Sequence, residues 1–246
     1  MKIASKWIKH RVLAQYPSIR KHLPETHLFS PHYLWSMLQR HDTLYIKPVV
    51  GSGGYGIIRV KRRGKTSFAI QKDMKRYRVN SKVALLQLLR RLMSSKKRYL
   101  IQKGINLVSI KKRPIDYRLL ILRPESEWKV MGTIGKWAAP GKIVTNHCRG
   151  GKPINLGPSL KMSLGCSEER CQRVENTINR VGMSVAETLG NRYRMRQLGL
   201  DIGIDKKLRI WILEVNTGPR YQLFRYHHDR SLYPKIVGYM RQINGR

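Results

Sequence analysis

The chain has 246 residues, enough for one sizeable domain, or two small ones, with a real core. Fifty Lys and Arg face fourteen Asp and Glu, a formal charge of +36, and there are three cysteines. No apolar run approaches a membrane span, no secretory-type apolar stretch follows the basic N-terminus, and the few cysteines exclude a disulfide-built scaffold.

Residues 1–40 read as helical: WIKHRVLAQY, a break at LPETH, then SPHYLWSMLQR with Ser30 placed to cap and Pro31 at the first helical position. TLYIKPVV is a β-rich run, followed by a glycine stretch and a second β-branched run, YGIIRVKRR. TSFAIQKD reads as a third strand, VALLQLLRRLM as an amphipathic helix, and RYLIQKGI as a strand leading into a loop. DYRLLILR and EWKVMGTIG form a hairpin pattern, and the polar, glycine-rich TNHCRGGKPINLG follows. EERCQRVENTINRVGMSVAETLG is the longest helical pattern. LGLDIGID and LRIWILEVN make a terminal hairpin, and PKIVGYMRQI is a short closing helix. The chain is α+β, with no internal repeat or low-complexity linker. Cys148, Cys166 and Cys171 contain no C-x-x-C pair and read as reduced cytosolic thiols, with a zinc site at His147 and Cys148 as the alternative.

KPVVGSGGYGII contains a literal G-x-G-x-x-G at Gly51, Gly53 and Gly56. A dinucleotide fold needs such glycines to open a helix, whereas here they join two strands. A P-loop fails because Arg59 stands where its first glycine is required. A protein kinase would need H-R-D and D-F-G motifs, and neither is present.

Carboxylates are scarce, so one inside an apolar strand calls for a reason. Glu214 and Asn216 lie in IWILEVN, and alternation puts both on one face. Across the turn is Asp201. A connecting loop with an even residue count, such as Lys206-Lys207, would pair Asp201 with Ile212 and bring it to the same face. An odd loop would turn it away. On the even register, two carboxylates and an amide oxygen converge, a hard-oxygen set suited to Mg²⁺ held together with nucleotide phosphates.

SKW, LPETH, YIKPVVGSGGYGI, LIQKGI, PIDYRLLI, TNHCRGG, GLDIGID and WILEVNTGP, in this order over nearly the whole chain, resemble the ATP-grasp superfamily. More narrowly, they resemble the YheC/YheD-type family of endospore coat-associated proteins. RimK-type glutamate ligases are similar, with a D-x-R strand, an N-x-x-R-G-G loop and a D…E-x-N metal site. The resemblance implies an ATP-grasp fold over residues 1–246, made of a helical lead-in (1–40), a glycine-lid part (41–105) and a metal- and phosphate-binding part (106–246). The N-terminal pre-grasp domain is expected to be largely missing. The resemblance assigns Lys47, and with it Lys6, to the nucleotide phosphates, and Gly53 and Gly54 to a lid whose N–H groups approach them. It puts Gln102, Lys103 and Ile105 at the adenine-binding hinge. Asp201, Glu214 and Asn216 would hold one or two Mg²⁺. Arg118, Asn146 and Arg149 would orient the γ-phosphate or the acyl-phosphate. Lys136 stands where RimK-type ligases have an arginine, and a lysine cannot reproduce the bidentate fork.

The function implied is an ATP- and Mg²⁺-dependent carboxylate–amine ligase: ATP phosphorylates a carboxylate, and an amine attacks the acyl-phosphate to form an amide or peptide bond. The +36 charge favours an anionic peptide or polymer as substrate. The alternative is a non-catalytic ATP-grasp-fold interaction protein of the spore coat, with its nucleotide bound or vestigial. A nucleic-acid-binding protein is disfavoured by the lack of a recognisable module and by only three Phe. A cytoplasmic, spore-associated location and a homo-oligomeric state are the remaining expectations.

Overall fold

The computed structural model describes residues 3–142, 145 and 150–245. Helices α1 (Lys6–Leu13) and α2 (Pro17–Arg20) precede β1 (Thr26–Leu28) and α3 (Pro31–Arg40). The glycine stretch joins β2 (Thr43–Pro48) to β3 (Ile58–Arg62), which pair as an antiparallel hairpin with Ile46 opposite Ile58. Next come β4 (Phe68–Lys72), β5 (Lys75–Val79), α4 (Lys82–Leu92) and β6 (Tyr99–Lys103). The second half holds β7 (Ser109–Ile110), β8 (Arg113–Leu122), β9 (Lys129–Trp137), β10 (Lys152–Asn155), α5 (Leu156–Leu164) and α6 (Glu168–Tyr193). It closes with β11 (Gln197–Ile204), β12 (Ile210–Asn216), a 3-10 turn (Gln222–Tyr226) and α7 (Leu232–Asn244).

Serine caps start several of the helices, Ser30 where the sequence places it. Ser30 accepts from the Tyr33 N–H with Pro31 at the first position, and Ser81 and Ser167 cap α4 and α6 in the same way. The helical lead-in over residues 1–40 needs one correction, at its break. Thr26–Leu28, which overlaps the end of the LPETH break, is a strand paired with β6, Thr26 opposite Gln102. Three residues carry too short a pattern to be read locally. The pairing comes from a distant strand.

The first sheet runs β1-β6-β2-β3-β4-β5, all antiparallel. Leu34, Met37, Leu85 and Leu89 of α3 and α4 bury against Leu44, Ile46, Ile58, Val60, Phe68 and Ile70 on one face. Register then puts one polar row, Thr26, Gln102, Tyr45, Arg59, Gln71 and Arg76, across all six strands on the other face.

The second sheet runs β10-β9-β8-β11-β12, with β7 paired to β8. One face is covered by α6, α5 and the leading helices α1 and α2, with Leu13, Ile19, Leu160, Ile178 and Val185 against Tyr117, Leu119, Leu200 and Ile202. The opposite face is divided. Its apolar half (Leu120, Leu122, Met131, Ile134) is closed by Phe224, Leu232, Ile236 and Met240. Its polar half carries Asp116, Arg118, Lys136 and Asp201 and faces the first sheet's polar face.

Candidate active site

Asp201 lies at the centre of this polar half-face. Register sets Arg118 of β8 directly opposite it, and Glu214 of β12 on its other side. The route to that second pairing differs from the one expected. The loop between β11 and β12 is Asp205–Arg209, an odd count, and Ile202 pairs with Ile212. By itself this would turn Asp201 away from Glu214. A bulge at Leu213 shifts the ladder by one residue, so Asp201 pairs with Glu214. Odd loop and bulge together restore the shared face.

Asp201 accepts bonds from Arg118 Nη2 at 2.9 Å (Oδ1) and 3.1 Å (Oδ2), Lys136 Nζ at 2.6 Å, and Asn216 Nδ2 at 3.1 Å. Burial alone would raise its pKa, but Arg118 and Lys136 hold the carboxyl well below the usual range. Lys136 also lies 3.1 Å from Asp116 Oδ1. Asp116 is pushed up, because burial outweighs the pull of Lys136. For Lys136 burial is the largest influence and works downward, while Asp116 and Asp201 hold the pKa above its ordinary value. The Arg118 guanidinium fits here because residue 199 is glycine: a Cβ there would lie 3.0 Å from Arg118 Nη1 and 2.6 Å from Pro219 Cβ.

The first sheet and α1 supply the opposing wall. Lys6 Nζ donates to the Gly51 carbonyl at 2.6 Å and lies 3.6 Å from Glu214 Oε1, while its backbone N–H donates to the Val49 carbonyl. The α1 helix therefore pins the glycine loop to β12. Gly53 and Gly54 have φ of 68° and 72°, a region side chains disfavour, which leaves the loop backbone bare of Cβ atoms. Lys47 Nζ donates to Gln102 Oε1 at 2.6 Å, and Gln102 in turn donates to Thr26 Oγ1 at 3.1 Å. Burial lowers the Lys47 pKa, with Glu214 opposing.

Lys6, Lys9, His10, Lys47, Gln102 and Glu214 share one small cavity of about 40 Å³. That is room for a water or two. A nucleotide seated at this cavity would need its walls to part. Of the expected hinge residues, Gln102 reaches this cavity. The Lys103 ammonium lies 5.4 Å from the Trp211 ring centre, and Ile105 is half-buried in the following loop. Asn146 and Arg149 lie outside the described residues, as do His147 and Cys148.

The structure adds two residues to those read from sequence. Lys9 sits one helical turn after Lys6, nearly buried, its ammonium donating to the Ile3 carbonyl at 3.1 Å. Asp116 is an acid in an apolar strand, and the scarcity argument that singled out Glu214 applies equally to it.

Asp201, Glu214 and Asn216 offer two carboxylates and an amide oxygen on adjacent strands, and among the described residues no cluster of three or more His, Cys, Asp or Glu could hold a metal. Such a donor set fits an ion completed by phosphate oxygens and water, as Mg²⁺ is with nucleotides.

Two antiparallel sheets closing on each other, with a glycine hairpin on one and a D…E-x-N face on the other, define an ATP-grasp fold. Solved structures agree. D-cycloserine synthetase DcsG gives a TM-score of 0.57 at 12% identity, covering 97% of this chain and 70% of that one. VanG D-Ala:D-Ser ligase from Enterococcus faecalis gives 0.55 at 14%, covering 98% and 60%. The ATP-grasp ligase PsnB, solved with a minimal precursor, gives 0.54 at 13%, covering 97% and 60%. At these identities the likeness establishes the fold. The chain belongs to the YheC/D like ATP-grasp family, whose profile matches residues 1–242. Endospore coat-associated protein YheC of Bacillus subtilis (strain 168) is 27% identical over 228 residues, covering 88% of this chain and 60% of YheC. YheD of the same strain is 23% identical over 240 residues, covering 93% and 51%. The chain thus spans between half and three fifths of these relatives' lengths. Among the described residues no helix is long and apolar enough to cross a membrane.

Proposed function

We propose that the protein is an ATP- and Mg²⁺-dependent carboxylate–amine ligase acting on an anionic peptide or polymer. One observation carries this reading: Asp201, Glu214 and Asn216 share a face that looks onto Lys6, Lys47 and the glycine loop. In this reading Lys6, Lys47 and the loop N–H groups bind phosphates, and Gln102, Lys103 and Ile105 seat the base. Asp201, Glu214 and Asn216 hold Mg²⁺, which neutralises phosphate charge when bound. Arg118, with Asn146 and Arg149, orients the transferred phosphoryl group. The substrate carboxylate attacks the γ-phosphorus and ADP leaves. An amine then displaces phosphate from the acyl carbon and loses its proton, giving the amide. From the names of YheC and YheD we carry over a role in the spore coat, exercised in the cytoplasm of the sporulating cell.

A second reading has its own observation. Asp201 already bonds Arg118 and Lys136, and the cavity between the sheets measures only about 40 Å³, an arrangement that a coat interaction protein with a vestigial site would show. Thermal unfolding with and without ATP plus Mg²⁺ separates the two. The ligase reading expects a rise in melting temperature, worth about 2.7 kcal/mol at a hundredfold excess over Kd, that is absent in Glu214→Ala/Asn216→Ala. No rise at millimolar ATP would sink it in favour of the coat protein.

A further inference from the structure

Charge is unevenly placed in this fold. Residues 43–104, from β2 through β6, hold seventeen Lys and Arg against a single acid, Asp73. The β5 strand, Lys75-Arg76-Tyr77-Arg78-Val79, is the outer strand of that sheet and pairs only with β4. Among the described residues, none of its backbone groups bonds outside that ladder. The second sheet's outer strands do make contacts beyond their ladders. The Ile212 N–H of β12 donates to the His22 carbonyl at 2.8 Å, and the Asn155 side-chain Oδ1 of β10 accepts from the His228 N–H at 3.1 Å.

The two faces of β5 differ. Tyr77 and Val79 pack against the core beside α3 and α4, whereas Arg76 and Arg78 are exposed on the polar face. Arg76 is in register with Gln71 and Arg59, and Arg78 with Ala69 and Lys61, so each arginine has a second cation two strands behind it. A bare edge invites pairing, but this one repels a copy of itself because like charges would stand opposite each other. The same charges favour an acidic strand.

We propose that β5 takes up an extended acidic segment of the substrate by strand addition. Asp or Glu at alternate positions would face Arg76 and Arg78, and apolar residues between them would lie against Tyr77 and Val79. One end of that strand would run toward the β9–β10 loop. The Gly141 carbonyl of this loop accepts from Gln71 Nε2 at 2.8 Å, and Lys136 stands at its base. Calling the segment substrate rests on the ligase reading; the docking itself needs no nucleotide.

Fluorescence anisotropy with a short labelled peptide alternating Glu and Val tests the idea. Its companions are a block peptide of the same composition, the two alternately N-methylated forms, and an oligothymidylate of equal charge, all at one salt concentration. The alternating peptide is expected to bind best. Arg76→Glu/Arg78→Glu should weaken it by about tenfold or more, and one N-methylated form, the one whose blocked amides face β5, should lose binding while the other keeps it. Equal binding by the charge-reversed variant, by both methylated forms or by the block peptide would overturn the proposal, as would tighter binding of the oligothymidylate to the same arginines. The Mg²⁺·ATP thermal shift of the charge-reversed variant should match wild type. Peptide binding without any such shift in wild type would sink the ligase reading and leave the docking edge standing. A shift without alternation-dependent binding would sink the edge alone.

Discussion

Asp201 faces Glu214 across the last two strands because Leu213 drops out of the ladder between them. Though paired, the two carboxylates stand in different surroundings. Asp201 is buried and bonded to two cations, whereas Glu214 is partly exposed with Lys6 at 3.6 Å. Asp201→Asn would leave Arg118 and Lys136 with Asp116 as their one buried counter-charge, a loss of about 3–5 kcal/mol. Glu214→Gln, where water partly reaches the carboxylate, should cost less, although Glu214 also offsets the burial of Lys9 and Lys47. On the ligase reading both lose the Mg²⁺·ATP shift, so Glu214→Gln separates binding from folding. Urea unfolding of the two variants checks this, and equal destabilisation would refute the difference drawn here.

Lys9 offers the opposite balance. Burial pushes its pKa down to about 8, with Glu214 opposing and Lys6 adding to the fall. Below that pH both folded and unfolded chains carry the charge, and the folded state bears the desolvation. Between about 8 and the ordinary 10.5 the unfolded chain holds more protons, so stability rises with pH over this window. Lys9→Met should therefore be more stable than wild type at pH 7, on the order of 1–3 kcal/mol. The difference should shrink as pH rises through the window. If Lys9 contacts phosphates in the parted cavity, the variant also loses part of the ATP shift. Melting curves at pH 7 and 10 with and without nucleotide give both readings.

The hairpins that position the site were legible because alternation and glycine punctuation are local. The β2–β3 pair about Gly51–Gly56, the β8–β9 pair and the β11–β12 pair all follow the sequence pattern. The ATP-grasp fold followed from the order of motifs. What stayed hidden depended on distant partners. β1 exists through Gln102 and its neighbours in β6. β5 carries only Tyr77 and Val79 among basic residues, and β10 and α5 lie within or just after the polar, glycine-rich TNHCRGGKPINLG stretch. The bulge at Leu213 leaves no mark in an apolar strand, which is why the loop's parity alone misled.

His10 gives a pH signature. Burial, helped by nearby His27, pushes its pKa down to about 4. An unfolded histidine takes up its proton near 6.5, so the unfolded chain binds more protons across this interval, and stability falls as pH drops from about 6.5 to 4. The loss should be on the order of 1–3 kcal/mol. His227, also lowered by burial, adds a slope of the same sign that His10→Leu retains. The variant should therefore flatten the profile without abolishing its tilt. Melting temperatures at half-unit steps check it; an unchanged slope would remove His10 from the account.

Lys136 separates charge from shape. Its ammonium bridges Asp201 at 2.6 Å and Asp116 at 3.1 Å in a nearly closed site. Lys136→Met removes the counter-charge and should cost about 3–5 kcal/mol at pH 7. Asp116, already raised by burial, would then rise further and hold a proton in the folded state that the unfolded chain has released. Here the folded chain binds more protons, so the variant regains stability as pH falls toward the ordinary carboxylate range. Lys136→Arg keeps the charge but adds volume, costing about 1–3 kcal/mol. Its pH profile should follow wild type. Equal pH dependence in the Met and Arg variants would show that packing, and not the two carboxylates, fixes lysine at this position.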